Sequence, residues 1–162
     1  MTSNMTRRQL LGVGATTVAL GIAGCLGTAP DEPWEGTLAA TTAHQYSAPG
    51  CSCCHEYAGY LKQYLDVPLS RSTPDDIVAL KRRYEIPNEL WSCHTLVIDD
   101  YVVEGHVPVE VIATLLDDAP AIGGIALPGM PAGSPGMPGE KDGRFTIYVV
   151  GGDRPGATFT EV

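Results

Sequence analysis

The sequence predicts an α/β fold in which a central mixed sheet is flanked by helices. Three observations support this prediction. Apolar residues recur at spacings of three and four in several segments, as they do on the buried face of a helix. Runs rich in β-branched and aromatic residues alternate with those segments. The length of 162 residues leaves one domain of ordinary size after the chain ends are set aside.

The first half of the domain is predicted to hold two strands and two helices. Residues 38–47 form the first strand, residues 55–65 the first helix and residues 67–70 a short second strand. The second helix begins within residues 72–76, where a Ser or Thr cap, a proline in the first turn and two acidic residues suit a helix N-terminus. Pro87 ends that helix.

The second half adds a hairpin, a third helix and a final pair of strands. The β-rich runs at residues 95–98 and 101–104 are joined by two aspartates, which indicates a hairpin. A third helix opens at residues 107–110. Residues 145–150 are predicted to be the last strand, with residues 157–162 available to pair with it. The first seven elements run β-α-β-α-β-β-α, which is the thioredoxin-like plan with its chemistry at the start of the first helix.

Residues 120–143 differ in composition from the rest of the domain. This Gly/Pro/Met-rich loop near the C-terminus has closely spaced glycines and prolines, which do not suit the interior of a helix or a sheet. An irregular segment of this length inside a domain is usually functional or disordered. We therefore expect no regular element there.

Residues 1–25 are predicted to be a twin-arginine signal peptide. Paired arginines precede a charge-free apolar stretch that is shorter than the roughly 20 residues needed to span a membrane. The small residues before Cys25 resemble a lipobox, so Cys25 is expected to be lipidated; a plain cleavable signal or a short anchor is the alternative. Residues 26–38 are then a flexible tether, and residues 39–162 the thioredoxin-like domain.

These signals predict an exported lipoprotein on the outer face of the cell membrane, where disulfides persist. The acidic net charge of the chain argues against nucleic acid as a partner. The chain has 19 acidic and 10 basic residues and a net charge of −9, whereas phosphate binding needs clustered Lys and Arg. The same acidity weakly favours a cation as the cargo.

Four cysteines carry the chemistry of the domain: Cys51, Cys53, Cys54 and Cys93. Their density favours a soft metal ion bound through sulfur. The C-x-x-C spacing of Cys51 and Cys54 equally suits dithiol redox chemistry, and two structural disulfides are the plain alternative. In the predicted fold the loop that carries the first three cysteines lies at the N-terminus of the first helix, where the dipole favours thiolates, and Cys93 directly precedes the third strand.

Copper fits this arrangement better than zinc or an iron–sulfur cluster. A tetrahedral zinc ion takes four ligands spread around it, usually from two separated knuckles. The adjacent residues Cys53 and Cys54 make such a sphere awkward, whereas thiolates that bridge several Cu(I) ions tolerate crowding. The sequence therefore predicts Cu(I), with a thiolate-bridged cluster as one form of the site.

The four histidines divide by their positions. His94 follows Cys93 and is a candidate metal ligand or proton-handling group or, in the plain interpretation, a hydrogen-bonded strand-edge histidine. His106 lies after the hairpin and is also a candidate ligand. His55 is a weaker candidate that can point to solvent, and His44 is interpreted as structural.

Met130 and Met137 lie seven residues apart on the Gly/Pro/Met-rich loop. Thioethers are soft donors for Cu(I), so the two methionines are candidate ligands that pass copper inward or cover the site as a lid. They can equally be apolar anchors that hold the loop to the surface.

The chain resembles the CopG-type family, small exported thioredoxin-like proteins of copper-resistance systems that were long catalogued as a domain of unknown function. The resemblance covers residues from about 46 to 150 and rests on four ordered motifs. These are Cys-Ser-Cys-Cys at 51–54, Ser-Cys-His-Thr at 92–95, Gly-His-Val-Pro at 105–108, which Tyr-Val-Val-Glu precedes at 101–104, and the Pro-Gly-Met run at 128–137. Ser52 departs from the glycine that is usual in the family. The resemblance implies copper bound by the four cysteines.

The prediction is therefore an exported protein that binds Cu(I) in copper resistance or homeostasis, with another exported copper protein or a transporter as a partner. A redox-active copper site would make it an oxidoreductase, so whether it is an enzyme stays open. The alternative function is a thiol–disulfide oxidoreductase that uses Cys51 and Cys54. The extra Cys53 and the absence of the cis-proline typical of thioredoxins count against that alternative.

Overall fold

A seven-stranded mixed sheet forms the centre of the protein in the computed structural model, which describes residues 34–162. The strands are β1 (Ala43–Ser47), β2 (Leu69–Ser72), β3 (His94–Ile98), β4 (Tyr101–Gly105), β5 (Gly124–Leu127), β6 (Thr146–Val150) and β7 (Thr158–Glu161). The helices are α1 (Ser52–Leu61), α2 (Ile77–Arg83) and α3 (Val109–Asp118), with a 3-10 turn at Asn88–Leu90.

The strand order across the sheet is β2-β1-β3-β4-β5-β6-β7. β1 pairs in parallel with β2, and β4 with β5; the other neighbours are antiparallel. The α/β fold with a mixed sheet flanked by helices is confirmed. The first seven elements follow the predicted order, and β7 pairs with β6 as expected.

Side chains alternate between the two faces of the sheet along each strand, and an apolar cluster covers each face. Leu96 and Ile98 of β3 pack on one face with Tyr57 of α1 and Ile112 of α3. Val97 points to the other face. There a smaller cluster covers the sheet, formed by Ile86, Leu90, Val102, Ala126 and Val150. The sheet is therefore a central layer that holds the ends of β1, β3 and β4 in fixed positions.

The first helix begins earlier than predicted. Its N-terminus lies inside the cysteine run at Ser52 rather than at His55, and the helix ends at Leu61. The predicted strand at 38–47 is reduced to Ala43–Ser47, with Leu38 forming only an isolated bridge to Leu65. The early helix start makes Cys51 the N-cap residue and puts Cys53 and Cys54 in the first turn.

The start of α2 also differs from the prediction. β2 extends to Ser72, so this serine lies in the sheet and does not cap the helix. Asp76 is the cap, since its Oδ1 accepts a hydrogen bond of 2.9 Å from the amide of Ala79. Asp76 therefore takes the capping role that the sequence predicts for a serine or threonine.

β5 contradicts the prediction that residues 120–143 contain no regular element. Gly124–Leu127 lies in the sheet interior between β4 and β6, and all four residues are buried. Gly124 lies so close to the carbonyl of Val102 that a Cβ atom would overlap it. The glycine that suggested a loop is the residue that lets the strand pair closely.

The packed domain begins before residue 39, so it includes the last residues of the segment predicted to be a flexible tether (26–38). Leu38 is buried, and its amide donates a hydrogen bond of 2.7 Å to the carbonyl of Tyr64. Trp34 packs against the same core and contacts the Tyr64 ring. The predicted signal peptide, Cys25 and most of the tether lie outside the described residues. None of the helices in residues 34–162 has the length and apolarity of a membrane-spanning segment.

Candidate metal centre

The cysteine run lies at the N-terminus of α1, as predicted. Cys51 is the N-cap residue, with extended backbone, and its Sγ accepts a hydrogen bond of 3.3 Å from the amide of Cys54. A disulfide joins Cys51 to Cys54, while Cys53 and Cys93 are free thiols. Only one of the two bridges of a structural disulfide framework is therefore present among these four residues.

Cys93 reaches the same place from a distant part of the sequence, through the strand next to β1. It directly precedes β3, and its carbonyl accepts a hydrogen bond of 3.4 Å from Ala48, at the end of β1. The Sγ atoms of Cys93 and Cys53 are 3.8 Å apart, and those of Cys53 and Cys51 are 3.5 Å apart. All four sulfur atoms lie within 4.8 Å of one another. The predicted convergence of the four cysteines is found.

His106 adds a nitrogen to this group. Its Nε2 lies 3.1 Å from Cys93 Sγ, and its Nδ1 lies 2.7 Å from the carbonyl oxygen of Pro135. A carbonyl oxygen only accepts hydrogen bonds, so Nδ1 carries the proton and the lone pair of neutral His106 is on Nε2. That lone pair faces the sulfur, which is the arrangement of a metal-ligating histidine with an oriented ring.

His94 lies deeper than the strand-edge interpretation allowed. It is fully buried on β3, which has neighbours on both sides, and its Nδ1 is 3.3 Å from Cys93 Sγ. Its Nε2 has no hydrogen-bond partner. The buried ring of Tyr57 lies against both histidines, with ring centroids 4.6 Å from His94 and 5.2 Å from His106. Cys93, His94 and His106 form a second group of closely spaced ligand atoms.

Burial controls the protonation of these groups. It raises the pKa of the Cys93 thiol to about 12, and the nearby Cys53 adds to that rise. Burial lowers the pKa of His94 well below its usual value, and it also lowers the pKa of His106. At neutral pH the site therefore holds neutral imidazoles and a protonated Cys93. A cation that displaces the thiol proton meets no positive charge from either histidine.

The Gly/Pro/Met-rich loop passes directly over the site. Pro135 accepts the hydrogen bond from His106, and Gly136 lies so close to α1 that a Cβ atom would be 2.6 Å from the amide nitrogen of Tyr57. Met137 follows directly and is half-buried, whereas Met130 is exposed. The loop is thus held at the site through its backbone near Met137, while Met130 presents its side chain to solvent.

A buried ion pair behind Cys93 was not foreseen. Lys81 of α2 and Glu104 of β4 form a salt bridge with almost no exposure. Glu104 also accepts a hydrogen bond of 2.6 Å from the Thr95 hydroxyl and one of 2.5 Å from the amide of Ser92. Burial raises the pKa of Glu104, and Lys81 opposes that rise. The carboxylate thus holds the backbone next to Cys93. Nothing in the sequence of α2 indicates that Lys81 is buried rather than exposed.

The remaining candidates lie outside the sulfur group. His55 is exposed, and its Nδ1 accepts a hydrogen bond of 2.9 Å from the Arg71 guanidinium. His44 contacts the Ser72 hydroxyl at 2.8 Å and stacks on Tyr46, in keeping with a structural role.

All four cysteines can bind a soft cation only when the Cys51–Cys54 disulfide is reduced. With the Cys51–Cys54 disulfide formed, Cys53 and Cys93 are the sulfurs that can become thiolates. Two-electron reduction yields four thiols in the same small volume, beside one imidazole nitrogen with a directed lone pair. Sulfur and imidazole donors of this kind suit Cu(I) and zinc.

Comparison with known proteins places the chain in a family. A family described as Protein of unknown function, DUF411, matches residues 90–137. Two solved structures of the copper resistance protein CopG, Form 1 and Form 2, are 31% identical to this chain, with TM-scores of 0.66. The alignment covers 74% of this chain in both comparisons, and 96% of the Form 2 chain and 95% of the Form 1 chain. The chain belongs to the CopG family.

The CopG match extends over nearly the whole of the solved CopG chain, so it concerns a complete domain rather than a shared motif. The DUF411 match contains Cys93, both candidate histidines and both loop methionines, but not the cysteine run at α1. A comparison with curated proteins finds no match.

Proposed function

We propose that this member of the CopG family is an exported copper-handling protein that binds Cu(I) through Cys51, Cys53, Cys54 and Cys93. The convergence of four sulfur atoms from two distant segments within 4.8 Å carries the proposal. Soft sulfur donors select Cu(I) over hard cations. The relation to a protein described as a copper resistance protein supports the same metal.

The spacing of the sulfurs favours bridging thiolates. The Sγ atom of Cys53 lies 3.5 Å from that of Cys51 and 3.8 Å from that of Cys93. Cys53 and Cys54 are also adjacent in the sequence. Thiolates this close together can each contact more than one copper ion. We therefore propose a thiolate-bridged Cu(I) cluster. His106 is the best placed additional ligand, because its Nε2 lone pair faces Cys93. His94, Met130 and Met137 stay candidates.

The proposed location follows from the sequence of residues 1–25. A twin-arginine signal and a lipid on Cys25 would hold the domain at the outer face of the cell membrane, where another exported copper protein or a transporter can exchange copper with it. Mass spectrometry of the membrane fraction tests this part. An unmodified Cys25 on a full-length chain would overturn it.

Anaerobic titration of the fully reduced protein with Cu(I) tests the binding proposal. Tight uptake of copper, confirmed by elemental analysis, is expected for the parent. Cys51→Ser and Cys93→Ser are expected to lose it, because each removes a sulfur from one of the two segments. Ser52→Ala is the matched control, since it changes the same turn and keeps every sulfur. Copper binding by Cys93→Ser equal to that of the parent would refute the four-sulfur site.

A thiol–disulfide oxidoreductase is the second candidate function. The Cys51–Cys54 disulfide at the N-terminus of α1 favours it, because a helix N-terminus stabilises the thiolate that such exchange requires. Turnover of a disulfide substrate by metal-free protein, lost in Cys54→Ser, would support this function. Absence of turnover in metal-free protein would leave copper handling as the activity.

A further inference from the structure

The four sulfur atoms form a series in which each lies close to the next. The disulfide joins Cys54 to Cys51. The Sγ of Cys51 is 3.5 Å from that of Cys53, which in turn is 3.8 Å from that of Cys93. The free thiol of Cys53 therefore lies between a disulfide and a second free thiol. In this order the Cys53 thiol lies beside Cys51, a disulfide sulfur that it can attack. The Cys93 thiol lies beside Cys53, which would then be part of the new disulfide.

We propose that the oxidised, metal-free protein rearranges its own disulfide from Cys51–Cys54 to Cys53–Cys93, with Cys53 as the intermediate sulfur. In the first step the Cys53 thiolate attacks Cys51 Sγ. The Cys51–Cys53 bond forms, the Cys51–Cys54 bond breaks, and Cys54 leaves as a thiolate. In the second step the Cys93 thiolate attacks Cys53 Sγ, the Cys53–Cys93 bond forms, and Cys51 leaves as a thiolate.

The exchange is balanced without an external oxidant or reductant. One disulfide and two thiols are present at the start and at the end. Each attacking thiol gives its proton to water, and each leaving thiolate takes one from water. Uncatalysed disulfide rearrangement takes minutes to hours, so both oxidised forms are expected to interconvert on that timescale.

The local structure favours the sulfurs in the roles assigned to them. Cys53 lies in the first turn of α1, where unpaired amides and the helix dipole favour an attacking thiolate. Cys51 accepts a hydrogen bond from the amide of Cys54, which stabilises negative charge on Cys51 when it leaves. Cys93 is half-buried and its Sγ lies 3.8 Å from that of Cys53, so the small fraction of Cys93 that ionises directly meets the sulfur it attacks.

The rearrangement gives the oxidised protein two forms with different exposed chemistry. In one, Cys53 and Cys93 are free; in the other, Cys51 and Cys54 form a free dithiol at the start of α1. The second form withholds Cys93 from a metal while it offers a dithiol that can reduce the disulfide of an outside partner. This activity is independent of the copper proposal, because it occurs in metal-free protein.

The tryptic peptides of this chain make the two forms easy to distinguish. The sequence has no Lys or Arg from residue 84 to residue 140, so Cys93 lies in a peptide that ends at Lys141. The cysteine run lies in a different peptide, which ends at Lys62. A Cys51–Cys54 disulfide leaves these two peptides separate, whereas a Cys53–Cys93 disulfide joins them.

The full-length protein is freed of metal, oxidised to one disulfide per chain and sampled over hours. Each sample is quenched with acid, its thiols are blocked with N-ethylmaleimide, and it is digested for mass spectrometry. Joined peptides are expected to increase to a plateau, with fragmentation placing the link at Cys53. Absence of joined peptides at every time would overturn the proposal.

Two variants test the role of Cys53. Cys53→Ser is expected to keep the Cys51–Cys54 disulfide, which shows that the site still forms, and to lose the joined peptides. Ser52→Ala keeps all sulfurs and is expected to behave as the parent. Joined peptides that form in Cys53→Ser at the parental rate would show direct transfer to Cys93 and would refute the intermediate.

Discussion

The Nε2 atom of His106 lies 3.1 Å from the Sγ atom of Cys93, with its ring oriented by the carbonyl of Pro135. One side chain therefore contacts the sulfur group and the Gly/Pro/Met-rich loop at the same time. Any change in the sulfur group that moves His106 is transmitted to the loop.

Replacing His106 by Gln is expected to weaken Cu(I) binding by about 10–100-fold, the usual cost of disturbing a residue that binds or orients at a metal site. The reason is the loss of the directed Nε2 lone pair. Competition against a Cu(I) chelator measures the change. His55→Gln is the control, because His55 is exposed on the same helix as the cysteine run. Equal affinities for His106→Gln and the parent would contradict this role.

Gly136→Ala is expected to displace the loop from α1, because the added Cβ would lie 2.6 Å from the backbone of Tyr57. The hydrogen bond between Pro135 and His106 should be lost, and amide hydrogen exchange in the loop should accelerate. Gly129→Ala is a matched control: both glycines have positive φ, +76 and +80, but a Cβ at Gly129 meets nothing within 4 Å. Similar exchange in the two variants would show that the contact with α1 does not hold the loop.

Glu104→Gln is expected to reduce the free energy of unfolding by about 3–5 kcal/mol, because it leaves the Lys81 ammonium buried without its carboxylate. Urea denaturation measures the loss. A double variant, Lys81→Met with Glu104→Leu, should recover much of it, since it removes both charges. Glu110→Gln, an exposed change on α3, is the control. A cost for Glu104→Gln no larger than for this control would refute the buried pair.

The metal-free protein is expected to lose stability as the pH falls below the usual histidine pKa of about 6.5. Burial lowers the pKa values of His94 and His106, so the unfolded chain binds more protons than the folded one in this range. Their contribution is complete above the unfolded pKa and is lost as the pH falls toward the folded values.

Urea midpoints at about pH 7.5 and about pH 5.5 measure this loss. His94→Gln should reduce the difference between the two midpoints, because it removes the most buried titrating group, whereas His55→Gln should retain it. A pH dependence in His94→Gln as steep as in the parent would contradict the assignment.

Much of the fold and of the sulfur group follows from local sequence patterns. The hairpin carries two β-rich runs joined by a short turn, and α3 carries apolar residues at spacings of three and four; these elements place Cys93 beside the start of α1. β5 was missed because its four residues lie between glycine- and proline-rich stretches, so no alternation is long enough to recognise. Its identity depends on tertiary pairing with β4 and β6.

The details of the site depend on burial, which the sequence does not reveal. Lys81 and Glu104 are ordinary polar residues until α2 packs onto the sheet and removes both from water. His94 is buried because β3 is central. Spacing alone also leaves the pairing of Cys51 undecided, since Cys53, Cys54 and the distant Cys93 are all possible partners.

The four-sulfur Cu(I) site is best tested by X-ray absorption at the copper edge of the reduced, Cu(I)-loaded protein. We expect a first coordination shell dominated by sulfur, with copper–copper scattering from bridging thiolates, and loss of that scattering in Cys93→Ser. A first shell of nitrogen and oxygen alone, unchanged in Cys93→Ser, would rule out the sulfur site.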